Sequence, residues 1–107
     1  MVTLEDFQKI DIRVCKVIEV KDAETRKPMY VLKIDFGELG IKQAIAGIKP
    51  YYSKEEILNK KFIFVFNLEP KKIANILSEC MILAATKDDK VVVLQLERDM
   101  EIGSKIS

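Results

Sequence analysis

The chain contains no histidine and no tryptophan. Without histidine it lacks the commonest general base at neutral pH and the commonest zinc ligand, so triad chemistry and zinc sites are excluded as explanations. Without tryptophan, strong base stacking of the single-strand-binding type is not indicated. Cysteine is scarce too. Cys15 and Cys80 have no second thiol nearby in the sequence, which matches neither a C-x-x-C site nor a disulfide framework, and both read as buried thiols. The longest apolar runs, Phe62 to Phe66 and Met81 to Ala85, are about five residues, against the ~20 needed to cross a bilayer. No membrane association is expected. Glu5, Asp6 and Lys9 follow closely on Met1, so the start lacks the apolar core of a secretory signal and the cytoplasm is the expected location.

What is present fits an ordinary folded domain. With 107 residues, 49% of them hydrophobic and 33% charged, a single domain over residues 1–107 is expected. The formal net charge is only +1, but the sum hides an asymmetry. Residues 1–41 carry seven basic and eight acidic side chains, residues 42–75 seven and three, and residues 76–107 four and six. A polyanion would be drawn to the middle third if its lysines converge in space.

The periodicity predicts strands with two helical interruptions. Thr3 with Asp6, and Leu4, Phe7 and Ile10 at i, i+3, i+6, predict a short capped helix laying an apolar edge on the body of the protein. Ile10, Ile12, Val14, Ile18 and Val20 then share one face of a long strand, with Asp11, Arg13, Glu19 and Lys21 opposite. Tyr30, Leu32, Ile34 and Phe36 mark a second strand ending at Gly37 and Gly40, and residues 41–48 a third. After Pro50, Ser53 and Glu56 form a capping box opening a helix through about Asn59. Lys61 to Leu68 is apolar on both faces and reads as a central strand. Met81 to Thr86 and Val91 to Leu96 read as a hairpin turning at Asp88 and Asp89, and the tail from Glu97 as extended and peripheral. Three strands, a helix and further strands is the order of the oligonucleotide-binding (OB) fold, so the expected class is all-β: a five-stranded OB-fold barrel with a short helix between strands 3 and 4 and a short N-terminal helix.

The connection NLEPKKIANILSECMILAA, from Asn67 to Ala85, stands apart from an ordinary strand crossing. Pro70 blocks the ladder, Lys71 and Lys72 are adjacent cations, and Asn75 tolerates left-handed backbone. A shaped basic loop is expected, with Ser78 and Glu79 offering a hydroxyl and a carboxylate just before the strand at Met81.

This segment, together with DFQKIDIRVCKVIEV, RKPMYVLKIDFGELG and AIAGI in the same order, resembles the tRNA-binding domain family. That family occurs as free dimeric proteins, as the C-terminal domain or β-subunit of methionyl-tRNA synthetases, and in CsaA-like proteins. The resemblance implies a homodimer that binds tRNA by shape and backbone, without a cofactor and without catalysis, with methionyl-tRNA synthetase as a candidate partner. It carries over Asn67, Lys71, Lys72, Ser78, Glu79 and Met81, with Lys33 and Lys42 as backbone contacts on the strand face. The lysines would neutralise phosphates, Ser78 and Glu79 would hydrogen-bond, and Met81 would give an adaptable apolar contact. Cys15, Cys80 and Asn75 stand where the family usually has glycine. If the two cysteines neighbour each other in the barrel, a disulfide or a packed thiol pair is open to them as a minor alternative to two buried thiols, because cytosolic disulfides are rare.

Two alternatives stay open beside the tRNA reading. RKPMYVLKIDFG resembles the CsaA segment more closely than the synthetase one, which implies a chaperone or export factor for unfolded polypeptide. A thiol enzyme built on Cys80 is disfavoured, because no histidine exists to activate the sulfur.

Overall fold

A computed structural model describes residues 1–107. Helix α1 (Leu4–Gln8) starts at Thr3, whose hydroxyl accepts from the Asp6 N–H at 3.0 Å. Strand β1 (Ile12–Asp22) is followed by β2 (Tyr30–Asp35), β3 (Ile41–Ala46), helix α2 (Lys54–Ile57) and β4 (Lys61–Val65). Then come β5 (Lys71–Ile73), β6 (Ile76–Ser78), β7 (Met81–Ile82), β8 (Ala84–Lys87), β9 (Lys90–Val93) and β10 (Lys105–Ile106). The main sheet runs β3-β2-β1-β4-β7 in antiparallel register and curls into a nearly closed five-stranded barrel. The OB-fold architecture expected from the sequence is the one observed.

The barrel forms because β1 serves two sets of neighbours. Residues 12–16 pair with β4 and residues 16–22 with β2, and the register shifts between Val17 and Glu19. That bulge at Ile18 bends the strand and reverses which side chains face inward. The expected single face is corrected accordingly. Cys15, Val17 and Val20 belong to the barrel core, whereas Ile12 and Val14 point to the other side and build a second cluster with Ile63, Val65, Leu83 and Ile106. β4 is covered twice, as its composition predicts: Phe62 and Phe64 face the barrel, Ile63 and Val65 the outer cluster. Phe36 packs edge-on against Phe64 (centroids 6.2 Å apart) and Phe66 (4.8 Å), and burial of each such ring contributes roughly 1.5–3 kcal/mol.

Helix α2 carries the complete Ser53–Glu56 capping box and buries Ile57 in the core; it ends there, and Asn59 turns the chain with φ 62°. Tyr52 helps fasten this region, its carbonyl accepting from the Tyr30 hydroxyl at 2.7 Å and its own hydroxyl accepting from the Val93 N–H at 3.1 Å. β8 and β9 form the hairpin turning at Asp88 and Asp89. The tail is less peripheral than expected, because β10 pairs with β1 (Arg13 with Lys105, Ile12 with Ile106). Gly103 lies close against the Phe36 carbonyl just after β2, and its N–H donates to the Val14 carbonyl of β1 at 2.7 Å.

One further expectation is corrected. α1 buries none of its side chains: Leu4 is 71% exposed and Phe7 39%, so its apolar edge faces outward and does not lie on the barrel. Cys15 and Cys80 are the buried thiols expected from the sequence, free and in one core cluster. Burial pushes the Cys15 thiol far up, with Cys80 adding to the shift, and pushes the Cys80 thiol up to about 12.

Candidate nucleic-acid interface

The basic segment between β4 and β7 is a hairpin, not an irregular loop. β5 and β6 pair Lys71 with Ser78, Lys72 with Leu77 and Ile73 with Ile76 around a two-residue turn of Ala74 (φ 50°) and Asn75 (φ 66°). Two consecutive positive φ values are the geometry whose twist matches a two-residue hairpin. Asparagine adopts it readily. Alanine does so at a cost of roughly 1–2 kcal/mol, which the surrounding pairing must offset. Strand alternation puts Lys71, Ile73, Ile76 and Ser78 on one face and Lys72 and Leu77 on the other. Both lysines are exposed, and neither takes part in an ion pair.

Ser78 and Glu79 fix this hairpin to β3. The Gln43 N–H donates to Glu79 Oε1 at 3.0 Å, the Ile45 N–H donates to Ser78 Oγ at 3.2 Å, and the Glu79 N–H donates to the Gln43 carbonyl at 2.8 Å. The Gln43 side chain completes the seam through its Nε2, which donates to the Leu77 carbonyl at 3.2 Å. The groups expected to meet a ligand are therefore engaged within the protein.

The remaining expected residues divide between held and free. Asn67 bridges the entry to β1, its Oδ1 accepting from the Asp11 N–H and its Nδ2 donating to the Lys9 carbonyl, both at 2.8 Å. Lys42 donates to the Phe66 carbonyl at 2.8 Å, with its Nζ 3.8 Å from the Phe66 ring centroid. It pairs with core residue Ile34 and so lies on the inner face at the barrel's end, opposite to Lys33, which pairs with Gln43 on the outer face. The two do not share a surface. Lys33 is half exposed and lies 3.4 Å from Glu19, whose carboxyl is held below its ordinary value first by Lys21 and then by Lys33. Met81 is 46% exposed beside the end of the hairpin.

Two features were not singled out from the sequence. Gln43 is the hub of the seam, and its only sequence signal is an outward position between Ile41 and Ile45. Arg26 and Lys27, in the connection between β1 and β2, are exposed and outside every ion pair. Surface grooves of about 360 and 440 Å³ lie along residues 95–100 and 101–104, away from all of these residues.

The β1–β2 connection and the connection preceding the last barrel strand are the two that flank the β2–β3 face in OB-fold barrels, and both carry cations here. Fold and surface together define an OB-fold barrel of the oligonucleotide-binding type. Residues 12–105 match the family model described as "Putative tRNA binding domain", and the chain belongs to that family of tRNA-binding domains. It is 42% identical over 106 residues to the methionine–tRNA ligase of Caldanaerobacter subterraneus, covering 99% of this chain and 16% of that protein. With the corresponding ligase of Pyrococcus horikoshii it shares 43% identity over 105 residues, 98% of this chain and 14% of that one. The chain thus spans about a sixth of the length of these curated relatives. Among solved structures, a CsaA chaperone protein from Picrophilus torridus superposes with a TM-score of 0.93 at 47% identity, each chain covered in full. A MetRS-related protein from Pyrococcus horikoshii gives 0.92 at 29%, covering 100% of this chain and 98% of that one.

Proposed function

We propose that this domain is a non-catalytic cytoplasmic module that binds tRNA through the phosphate backbone, acting free or as an accessory subunit beside a methionyl-tRNA synthetase. The observation that carries the reading is the placement of unpaired cations, Lys71 and Lys72 on the β5–β6 hairpin and Arg26 and Lys27 on the β1–β2 connection, on the two segments bordering the β2–β3 face. Lys33 lies on that face, and Met81 adds an apolar contact at its margin. Asn67, Lys42, Ser78 and Glu79 shape the surface from within. Such a module raises local tRNA concentration without chemistry of its own.

The unburied apolar edge of α1, Leu4, Phe7 and Ile10, supports association of two copies, which would present two such faces to one RNA.

The likeness to CsaA proteins supports a second reading, the binding of unfolded polypeptide. Salt separates the two. Titration with total tRNA across ~50–300 mM salt is expected to show a steep loss of affinity, whereas binding of an apolar unfolded polypeptide would survive the same change. Polypeptide binding that survives salt, with no tRNA binding at ~50 mM, would replace the tRNA reading.

A further inference from the structure

In the barrel's order β3-β2-β1-β4-β7, β3 is an edge strand. An unpaired edge leaves backbone donors pointing outward, and those donors must find acceptors or remain open. At Gln43 and Ile45 the acceptors are side chains: Glu79 Oε1 and Ser78 Oγ stand where a neighbouring strand would offer carbonyls. Only one backbone bond, from the Glu79 N–H to the Gln43 carbonyl, joins β3 to this segment at the seam. The hairpin bearing Lys71 and Lys72 ends at Ser78, so its attitude at the β3 edge is set by these two side chains together with that backbone bond and the Gln43 Nε2 bond to the Leu77 carbonyl.

We infer that Glu79 and Ser78 are positioning residues, which hold the β5–β6 hairpin so that its exposed lysines stand beside the β3 edge of the β2–β3 face, and that they act on RNA through that hairpin and not by contact. The inference rests on the tRNA reading above and deepens it. The carboxylate's charge is then dispensable while its acceptor oxygen is not. Glu79→Gln keeps an acceptor oxygen for the Gln43 N–H. Glu79→Ala removes it and loosens the hairpin, which keeps its bonds through Ser78 Oγ, the Leu77 carbonyl and the Glu79 N–H.

The test measures amide hydrogen exchange without RNA and tRNA affinity against salt for wild type, Glu79→Gln, Glu79→Ala and Ser78→Ala. Glu79→Ala should speed exchange at Gln43 at least tenfold, weaken tRNA binding about tenfold at ~0.1 M salt, and lower the log–log salt slope by about one as a lysine–phosphate contact is lost. Ser78→Ala should do the same at Ile45, more weakly. Glu79→Gln should keep wild-type protection and wild-type slope. The inference is overturned if Glu79→Gln loses as much affinity as Glu79→Ala while Gln43 stays protected, because the carboxylate would then be touching RNA. It is overturned equally if Glu79→Ala leaves exchange at Gln43 unchanged. Failure of the wild type to bind tRNA at ~50 mM salt would refute the functional reading and with it the role toward RNA, and the exchange data would still decide whether the seam holds the hairpin.

Discussion

Substitution of three glycines by alanine separates two effects that anchor the C-terminal tail. At Gly47 the backbone does not need positive φ and an added Cβ meets nothing within 4 Å, so Gly47→Ala should be neutral or stabilise by up to about 1 kcal/mol through the unfolded chain. At Gly40 the space is also open but φ is +97° with ψ −168°, a region reserved for glycine, and Gly40→Ala should cost about 1–3 kcal/mol from conformation alone. At Gly103 φ is +90° and the Cβ would lie 2.9 Å from the Phe36 carbonyl oxygen. That contact is with backbone, so relief requires the tail to move. The movement strains the bonds from the Gly103 N–H to the Val14 carbonyl and from the Val14 N–H to the Ser104 carbonyl (2.9 Å). Adding an overpacking cost of about 1–3 kcal/mol to a conformational cost of about 1–3 kcal/mol gives roughly 2–6 kcal/mol in total. Urea unfolding reads the series directly: with a slope of about 1–3 kcal/mol/M, Gly103→Ala should lower the midpoint by one to two molar relative to Gly47→Ala. If Gly103→Ala costs no more than Gly40→Ala, the close approach of the tail to Phe36 is refuted.

Three other outcomes follow from named contacts. Thiol titration of the native protein with an aromatic disulfide should be slow, because Cys15 and Cys80 are 0% and 2% exposed, and should yield two thiols on denaturation; fast native reaction at either would contradict their burial. Both thiol pKa values are raised in the fold from an ordinary value of 9.0, so the stability they contribute is whole below that value and falls as pH rises from about 9 through the folded values. A Cys15→Ala/Cys80→Ala variant should accordingly show a shallower alkaline loss of stability. Asn67→Ala removes both bonds to the Lys9–Asp11 segment and should cost about 1–2 kcal/mol, with exchange at the Asp11 amide rising before that of the β1 core; equal protection there would refute the clamp.

The barrel was legible because alternation and composition are local: Phe62 to Val65 announces a strand covered on both sides, and Ser53 with Glu56 announces a helix start. The bulge at Ile18 was not legible, since a register shift depends on which strands β1 must reach and leaves no mark in its own residues. Asn75 signals positive φ, but Ala74 beside it does not, so the sequence predicts a loop where the chain forms a hairpin. At the candidate surface, the free cations at Lys71 and Lys72 could be read from sequence. The engagement of Asn67, Ser78 and Glu79 could not, because each bonds to backbone 33 or more positions away. Lys33 and Lys42 looked equivalent until register put them on opposite faces.

The central claim is that tRNA is held by the lysines of the β5–β6 hairpin. Its most direct test is a titration of total tRNA against wild type and a Lys71→Ala/Lys72→Ala variant across ~50–300 mM salt. Loss of two phosphate contacts should lower the slope of log affinity against log salt by about 1.4–1.8, with the variant's thermal unfolding unchanged because neither side chain is buried or paired. A folded variant that binds tRNA with the wild-type slope would place the RNA elsewhere on the barrel and contradict the claim.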